Sequence, residues 1–469
     1  MPNSPTHPPL QLHRFEIPGL AQYSYLIASN GVAAIIDPIR DIDTYLTFAA
    51  DHNLRITHVL ETHIHADFAS GAAALAQITG AELALSAHDQ AEHYQYAIPH
   101  VPIADGHQIQ LGALTLQAIH TPGHTPEHLS FLLADENKKP LALFTGDFLF
   151  VGSLGRPDLL GDDAKLNLAR ELHQSLHTRI AHLPDALPVY PGHGAGSLCG
   201  AGMSDLADST LGRERAHNTL FALPLDAFIT EILASVPPMP TYYPRMKVLN
   251  SAGAAALPEI PGANPLTPEE VADLANREDV ILLDLRRPES FGGAHIPTSI
   301  NIGSGPSLSL WAGWLLDPKK SIVLISDSGD DEHARRALVR VGLDQILGHL
   351  DRGMPAWIDH GLPLASAPQL STLDFQHLPP ETLILDVRTP QEFRSGHIAH
   401  AHHIMLGNLP AQLPTLPRDR PIALVCGSGY RSSIAAGLLA AAGIHPLGSL
   451  AGGMAAWNFQ HLPTTPGDA

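Results

Sequence analysis

The 469 residues exceed what one hydrophobic core usually serves, so about two to four domains are expected, and 44% hydrophobic against 16% charged residues is a globular composition. A formal net charge of −20 repels phosphate backbones and argues against nucleic acid as a partner. The polar, proline-rich start Met1 to Pro9 has neither the basic nor the apolar part of a secretory signal, and there is no run of about 18 apolar residues of the kind that spans a membrane. The two cysteines, Cys199 and Cys426, lie too far apart to suggest a disulfide framework and fit a reducing, cytoplasmic setting.

In chain order, Ala21 to Ser29 and Gly31 to Ile36 read as strands meeting at the hairpin signal Asn30-Gly31. Asp41 to Asn53 has helical spacing, Thr57 to Glu61 is β-rich, and Asp67 to Thr79 is an alanine-rich helical stretch. Further strands are expected at Leu83 to Ser86, Leu114 to Ile119, Leu129 to Leu133 and Leu141 to Thr145, giving sheets covered by helices, an α/β class. Residues 1–250 form the expected first domain, and Ser251 to Pro268, rich in Ala, Gly and Pro, reads as a linker.

An internal repeat follows, over 269–365 and 373–469. Leu283-Asp284-Leu285-Arg286-Arg287-Pro288, Phe291, His295-Ile296 and Gly353-Met354-Pro355-Ala356-Trp357 match Leu385-Asp386-Val387-Arg388-Thr389-Pro390, Phe393, His397-Ile398 and Gly453-Met454-Ala455-Ala456-Trp457. Two tandem α/β domains of one fold are expected, each of roughly 100 residues.

Four polar segments in the first domain each follow an apolar run. These are Thr62-His63-Ile64-His65-Ala66-Asp67, Thr121-Pro122-Gly123-His124, Thr145-Gly146-Asp147 and Tyr190-Pro191-Gly192-His193. Loops at strand ends are where ligands are presented, and imidazole with carboxylate suits Zn or Fe. Any one of these histidines alone would more often cap a turn; four such segments in this order point to a metal.

His63-x-His65-x-Asp67 with His124, Asp147 and His193 resembles the metallo-β-lactamase superfamily, which implies an αββα sandwich. In its two-metal hydrolases, such as glyoxalase II, a histidine follows the aspartate. Here Phe68 stands in that place and cannot ligate. Together with Gly155-Arg156-Pro157-Asp158-Leu159 and Gly194 through Gly200, this resembles the persulfide dioxygenase branch, including its fusions with rhodanese domains; Ala201 stands where relatives often have Lys. The resemblance implies one Fe(II) per chain on His63, His124 and Asp147, a facial triad with open positions for O₂ and a persulfide sulfur. The implied products are sulfite and free thiol. It implies outer roles for His65, Asp67 and His193, orienting ligands or bound water. Arg156 is a candidate contact for the thiol. Cys199 is either a persulfide relay or a small buried hydrophobe, with neither reading preferred.

Cys426-Gly427-Ser428-Gly429-Tyr430-Arg431-Ser432 follows an apolar run and precedes an alanine-rich helical stretch. Backbone N–H groups, the helix N-terminus and Arg431 together would favour a thiolate and hold a persulfide anion over Gly427, Ser428, Gly429 and Tyr430. Cysteine phosphatases carry a longer loop, whereas only four residues separate Cys426 from Arg431. The segment resembles rhodanese, which implies sulfane-sulfur transfer through Cys426, forming thiosulfate or the reverse. In the first copy Ser326 falls opposite Cys426 and Asp331 opposite Arg431, so that copy is expected to be inactive and structural. The expected ligands are small persulfides, O₂ and sulfite or thiosulfate, and a homo-oligomer is compatible with the sequence. The alternative is a glyoxalase II-like thioester hydrolase with a sulfur-carrier module.

Overall fold

The computed structural model describes residues 10–90 and 92–467, so the polar start at 1–9 lies outside the described residues. The chain divides into two compact units at Pro258/Glu259, with 340–342 counted with the first. No helix among the described residues is long and apolar enough to cross a membrane.

The first unit is built on two six-stranded sheets. One holds β1 (Gln11–Ile17), β2 (Gln22–Ser29), β3 (Val32–Ile36), β4 (Arg55–Leu60), β5 (Glu82–Ser86) and β6 (Val101–Ile103) side by side in chain order. The hairpin β2–β3 turns at Asn30-Gly31, both at positive φ, as its type of turn requires. From β3 onward the pairing is parallel, and β3 is buried on both faces after its first residue, which explains its unbroken run of Val, Ala and Ile. The second sheet holds β7 (Gln108–Leu111), β8 (Leu114–His120), β9 (Leu129–Ala134), β10 (Pro140–Gly146), β11 (Pro188–Pro191) and β12 (Ser209–Thr210).

Side chains from both sheets, among them Tyr25, Ile27, Ile36, Leu116, Phe131 and Phe144, form one core between them. The outer face of the second sheet, through Ile119, Leu132 and Leu143, packs against Leu172 and Leu176 of the helix Asp162–Thr178 and Phe228 and Ile232 of the helix Leu225–Ser235. With the helices Asp43–Asp51 and Ala72–Thr79 on the first sheet, this is an αββα sandwich.

The helix expected from Asp67 begins only at Ala72, with Gly71 at its N-cap. A Cβ at Gly71 would fall 2.1 Å from the Ile39 carbonyl oxygen, so the chain is pressed against the β3–helix turn there. Residues 63–70 remain a loop because buried side chains take up their backbone groups, as described below. Strands β1, β6, β7 and β12 were not read from the sequence; they are short or flanked by polar and proline residues that blur the period of two.

The second unit holds the repeat as two five-stranded parallel sheets. The first has β13 (Pro265–Leu266), β14 (Val280–Asp284), β15 (Ile300–Asn301), β16 (Ser321–Ile325) and β17 (Ile346–Leu350) in the order 13-17-16-14-15. The second has β18 (Gln369–Leu370), β19 (Leu383–Asp386), β20 (His402–His403), β21 (Ile422–Val425) and β22 (Gly448–Leu450) in the order 18-22-21-19-20, the same topology. The stretch 251–268, expected as a linker, carries the end of the helix Tyr243–Ala252 and the edge strand β13. Matched core residues repeat as well. Trp357 and Trp457 are buried, and their indole N–H groups donate to Pro363 and Pro463 at 2.9 and 3.0 Å.

Candidate functional site

The four polar segments sit at the carboxyl ends of β4, β8, β10 and β11 and converge. The ligand atoms of His63, His124 and Asp147 lie within 4.8 Å of one another, and all three residues are buried. His124 Nε2 is 3.5 Å and His63 Nε2 3.9 Å from Asp147 Oδ2, and none of these three atoms has a hydrogen-bond partner.

Their other atoms are occupied. His124 Nδ1 donates to the Arg156 carbonyl at 2.9 Å. His63 Nδ1 lies 2.9 Å from Thr62 Oγ1, whose proton goes to Asp37 Oδ2 at 2.8 Å, so the imidazole is the donor. Both rings therefore turn a lone pair inward. Burial, and then neighbouring histidines, push both imidazoles well below their ordinary pKa, keeping them neutral. Two buried neutral imidazoles and a carboxylate with facing, unpartnered atoms fit a metal ion of the Fe or Zn kind.

His193 lies beside this trio. Its Nδ1 is 2.7 Å from Asp147 Oδ1 and its Nε2 2.8 Å from Asp67 Oδ2. Burial alone would lower its pKa, but Asp147 and Asp67 raise it well above the ordinary value, so the ring is an imidazolium donating from both nitrogens. Asp67, His193 and Cys199 make a second buried group with candidate ligand atoms within 4.8 Å of one another. The Cys199 thiol is held protonated by burial and by the nearby Asp67 and Asp147.

The His65 ring lies 4.2 Å from the His63 ring, with Nε2 3.1 Å from Asp37 Oδ1, and the fully buried Phe68 ring lies 4.4 Å from the His65 ring. Arg156 is 1% exposed. It donates from Nε and Nη2 to Asp158 and from Nη1 to the Leu198 carbonyl, which engages three of its five N–H groups. Its backbone carbonyl accepts from His124 Nδ1, a positioning contact.

Sequence reading missed the residues that hold the first metal loop. The helix Tyr243–Ala252 and its N-cap reach it through three side chains. Lys247 donates to the Ile64 carbonyl at 2.7 Å; Asn250 Nδ2 donates to the His65 and Phe68 carbonyls at 2.9 and 2.7 Å, while its Oδ1 accepts from Ser70 N at 2.8 Å. Tyr242 donates to the Asp67 carbonyl at 3.0 Å. Glu127 accepts from Ile64 N at 2.9 Å, and His128 Nε2 accepts from Asp147 N at 3.1 Å. These partners lie up to 185 residues from the loop, and no local spacing announces them.

Cys426 follows β21 and is wholly buried. Its Sγ accepts from Gly429 N at 3.1 Å and lies 3.4 Å from Ser432 Oγ, which Ser449 contacts at 2.6 Å. Gly427, Ser428 and Gly429 turn the loop into the N-terminus of the helix Tyr430–Ala441, whose first N–H groups have no acceptor within the helix. The Tyr430 hydroxyl donates to the Gly303 carbonyl of the preceding copy at 3.0 Å. Arg431, expected to lend its charge to the loop, is bound by both Nη atoms to Glu392 at 2.7 Å each. In the first copy Ser326 Oγ donates to Gly329 O at 2.6 Å and accepts from Gly329 N at 2.8 Å, closing its own loop on itself.

The chain matches the metallo-beta-lactamase superfamily over residues 17–193 and the rhodanese-like domain twice, over 267–360 and 373–460. A metallo-beta-lactamase structure from Staphylococcus aureus superposes with a TM-score of 0.66 at 34% identity, covering 74% of this chain and all of that one. The chain belongs to the metallo-beta-lactamase superfamily and carries two rhodanese-like domains after its metallo-beta-lactamase domain. A hydroxyacylglutathione hydrolase of Anaeromyxobacter dehalogenans is 39% identical over 37% of this chain, which spans 62% of that relative, less than two thirds of its length. The mitochondrial persulfide dioxygenase ETHE1 of Bos taurus is 29% identical over 47% of this chain and 80% of its own length.

Asn250→Ala should lower the stability of the first unit by about 2–4 kcal/mol, because two buried carbonyls and an N–H lose their partner, and should reduce bound metal. Chemical denaturation and metal content of the variant check this; unchanged values for both would contradict the clamp. Glu392 supplies a pH test. Burial alone would raise its carboxyl, but hydrogen bonds from Arg431 and Thr389 hold it down to about 2 from the usual 4.5. Its contribution is therefore complete above the usual value and lost as pH falls through about 2. The acid limb of a stability–pH curve should flatten over that window in Glu392→Gln, and a limb shared with the wild type would contradict the pairing.

Proposed function

We propose that the first domain oxidises low-molecular-weight persulfides with O₂ at one Fe(II), and that Cys426 carries sulfane sulfur to or from the sulfite produced. In balanced form the first reaction is a persulfide plus O₂ and water giving thiol, sulfite and two protons. One observation carries the reading. Among the described residues, one buried trio of two imidazoles and a carboxylate has unpartnered atoms facing inward, while neighbouring His193 has both ring nitrogens engaged by carboxylates.

A ferrous ion on His63, His124 and Asp147 would supply open coordination positions at which O₂ and a sulfur anion are activated together. The chain's residues set the stage. Thr62 and the Arg156 carbonyl fix the two imidazole tautomers, and His193 binds Asp147 Oδ1, leaving Oδ2 to the ion. The Asp67–His193 pair keeps a proton at Nε2 beside the trio. Phe68 puts a fully buried apolar ring, packed on His65, where the two-metal relatives carry a ligand. The likeness to the bovine persulfide dioxygenase supports this reading.

A second reading, a two-metal thioester hydrolase, is favoured by the group Asp67, His193 and Cys199 and by the 39% identity to a hydroxyacylglutathione hydrolase. A second ion on that group would have to displace the proton that joins His193 to Asp67.

Iron-loaded protein should consume O₂ with glutathione persulfide and release sulfite. Full iron occupancy with no O₂ uptake, or thioester turnover without O₂, would contradict the dioxygenase. Cys426→Ser should abolish sulfur transfer from thiosulfate to cyanide, and a variant with the wild-type rate would contradict the carrier role.

A further inference from the structure

The repeat provides an internal comparison between a copy with a cysteine and one without. The architectural contacts are kept in both. Arg286 and Arg388 donate to Asp284 and Asp386 with nearly identical bonds, from Nη2 at 2.7 Å in each, and then to Ala294 O and Gly396 O at 2.7 and 2.8 Å. Phe291–His295 and Phe393–His397 stack at 3.8 and 3.7 Å. Gly353 and Gly453, both at positive φ, would each place a Cβ 2.4 Å from the carbonyl oxygen of Ser326 or Cys426.

What differs lies around the sulfur. Cys426 becomes Ser326, Arg431 becomes Asp331, and Glu392, six residues beyond Asp386, becomes Ser290, six beyond Asp284. Glu392 and Arg431 are thus lost together with the cysteine. The Asp–Arg pair is present in both copies, whereas the Glu392–Arg431 pair, with the capping box that Glu392 forms with Thr389, is found only in the copy with the cysteine.

The pair stands against the loop itself. A Cβ on Gly427, the residue after Cys426, would lie 2.9 Å from Arg431 Nη2 and 3.5 Å from Glu392 Oε1. Glu392 is also fixed by Thr389, whose N–H and hydroxyl both donate at 2.9 Å to Oε2, the oxygen that accepts from Arg431 Nη1. The guanidinium at the loop wall is therefore neutralised by a carboxylate that is itself held rigid. The remaining attraction for an anion comes from backbone N–H groups and the helix N-terminus, a partial charge suited to one negative charge on sulfur.

We infer that Glu392 sets the donor selectivity of the Cys426 loop, holding and neutralising Arg431 so that the loop takes sulfane sulfur from organic persulfides in preference to the thiosulfate dianion. The inference rests on Cys426 being a sulfur carrier. From a persulfide, the Cys426 thiolate attacks the outer sulfur; a new S–S bond forms, the old one breaks, and the thiolate of the donor leaves with the electron pair. From thiosulfate the same attack expels sulfite as a dianion. That donor brings two negative charges within one bond of the reacting sulfur, and Glu392 opposes it. Glu392 is a positioning residue, acting through Arg431.

The test is the second-order rate of loading Cys426, followed by quench and mass spectrometry of the persulfidated full-length protein under anaerobic conditions. Glutathione persulfide and thiosulfate are compared as donors at pH 7.4. The wild type should load faster from the persulfide. Glu392→Gln keeps an amide able to cap Thr389 and frees the Arg431 charge, and should shift the ratio toward thiosulfate about tenfold. Wild-type preference for thiosulfate needs no variant to overturn the inference. Equal losses with both donors in Glu392→Gln, or an unchanged ratio, would overturn it while leaving the carrier role intact. No loading from either donor would overturn both.

Discussion

Three buried atoms, His63 Nε2, His124 Nε2 and Asp147 Oδ2, face one another with no hydrogen bond among them, and the first unit is arranged to keep them so. Burying unpaired polar atoms is costly, so such a cluster persists only if the surrounding structure over-determines it. Here it does. Thr62 and the Arg156 carbonyl take the outward nitrogens, His193 takes the second carboxylate oxygen, and His128 takes the Asp147 amide. The sheets supply the ends on which these groups stand, and the helix Tyr243–Ala252 fixes the loop between them. An ion placed among the three atoms would satisfy all of them at once.

The second unit shows the same logic from the opposite direction. Two copies with one strand order differ little in their buried frameworks, yet one presents a thiol at the head of a helix and the other a serine folded onto its own loop. The first copy is more than a remnant. Its Gly303 carbonyl receives the Tyr430 hydroxyl, and its Asn301 lies 2.7 Å from Ser433, both at the start of the helix that carries the sulfur loop. The copy without a cysteine thus supports the start of the helix that follows Cys426.

Much of this was legible in the sequence, for physical reasons. The α/β class follows from strands and helices in alternation, the αββα sandwich from the resemblance that the histidine and aspartate segments carry, and the repeat from matched apolar and Asp-x-Arg patterns that pack the same way twice. Three of the four polar segments could be found because glycine beside the histidine or aspartate marks a chain leaving a strand, and the first because its two histidines and aspartate alternate directly after one. Other features had no local trace. The shortened helix at Ala72 reflects Gly71 pressed beneath Ile39 and a loop claimed by Asn250, a partner 180 residues from Ser70. The pairing of Arg431 with Glu392 was equally invisible, since a sequence shows the charge of an arginine but not the carboxylate that cancels it. Arg156 illustrates the same limit, as its guanidinium is paired with Asp158 and the Leu198 carbonyl.

The account turns on how many ions the first unit holds and where. Anomalous diffraction at the iron edge, from crystals of the full chain loaded anaerobically, measures this directly. The account requires one iron peak, in contact with His63 Nε2, His124 Nε2 and Asp147 Oδ2, and none between Asp67, His193 and Cys199. Two peaks, or a single one on that second group, would contradict it.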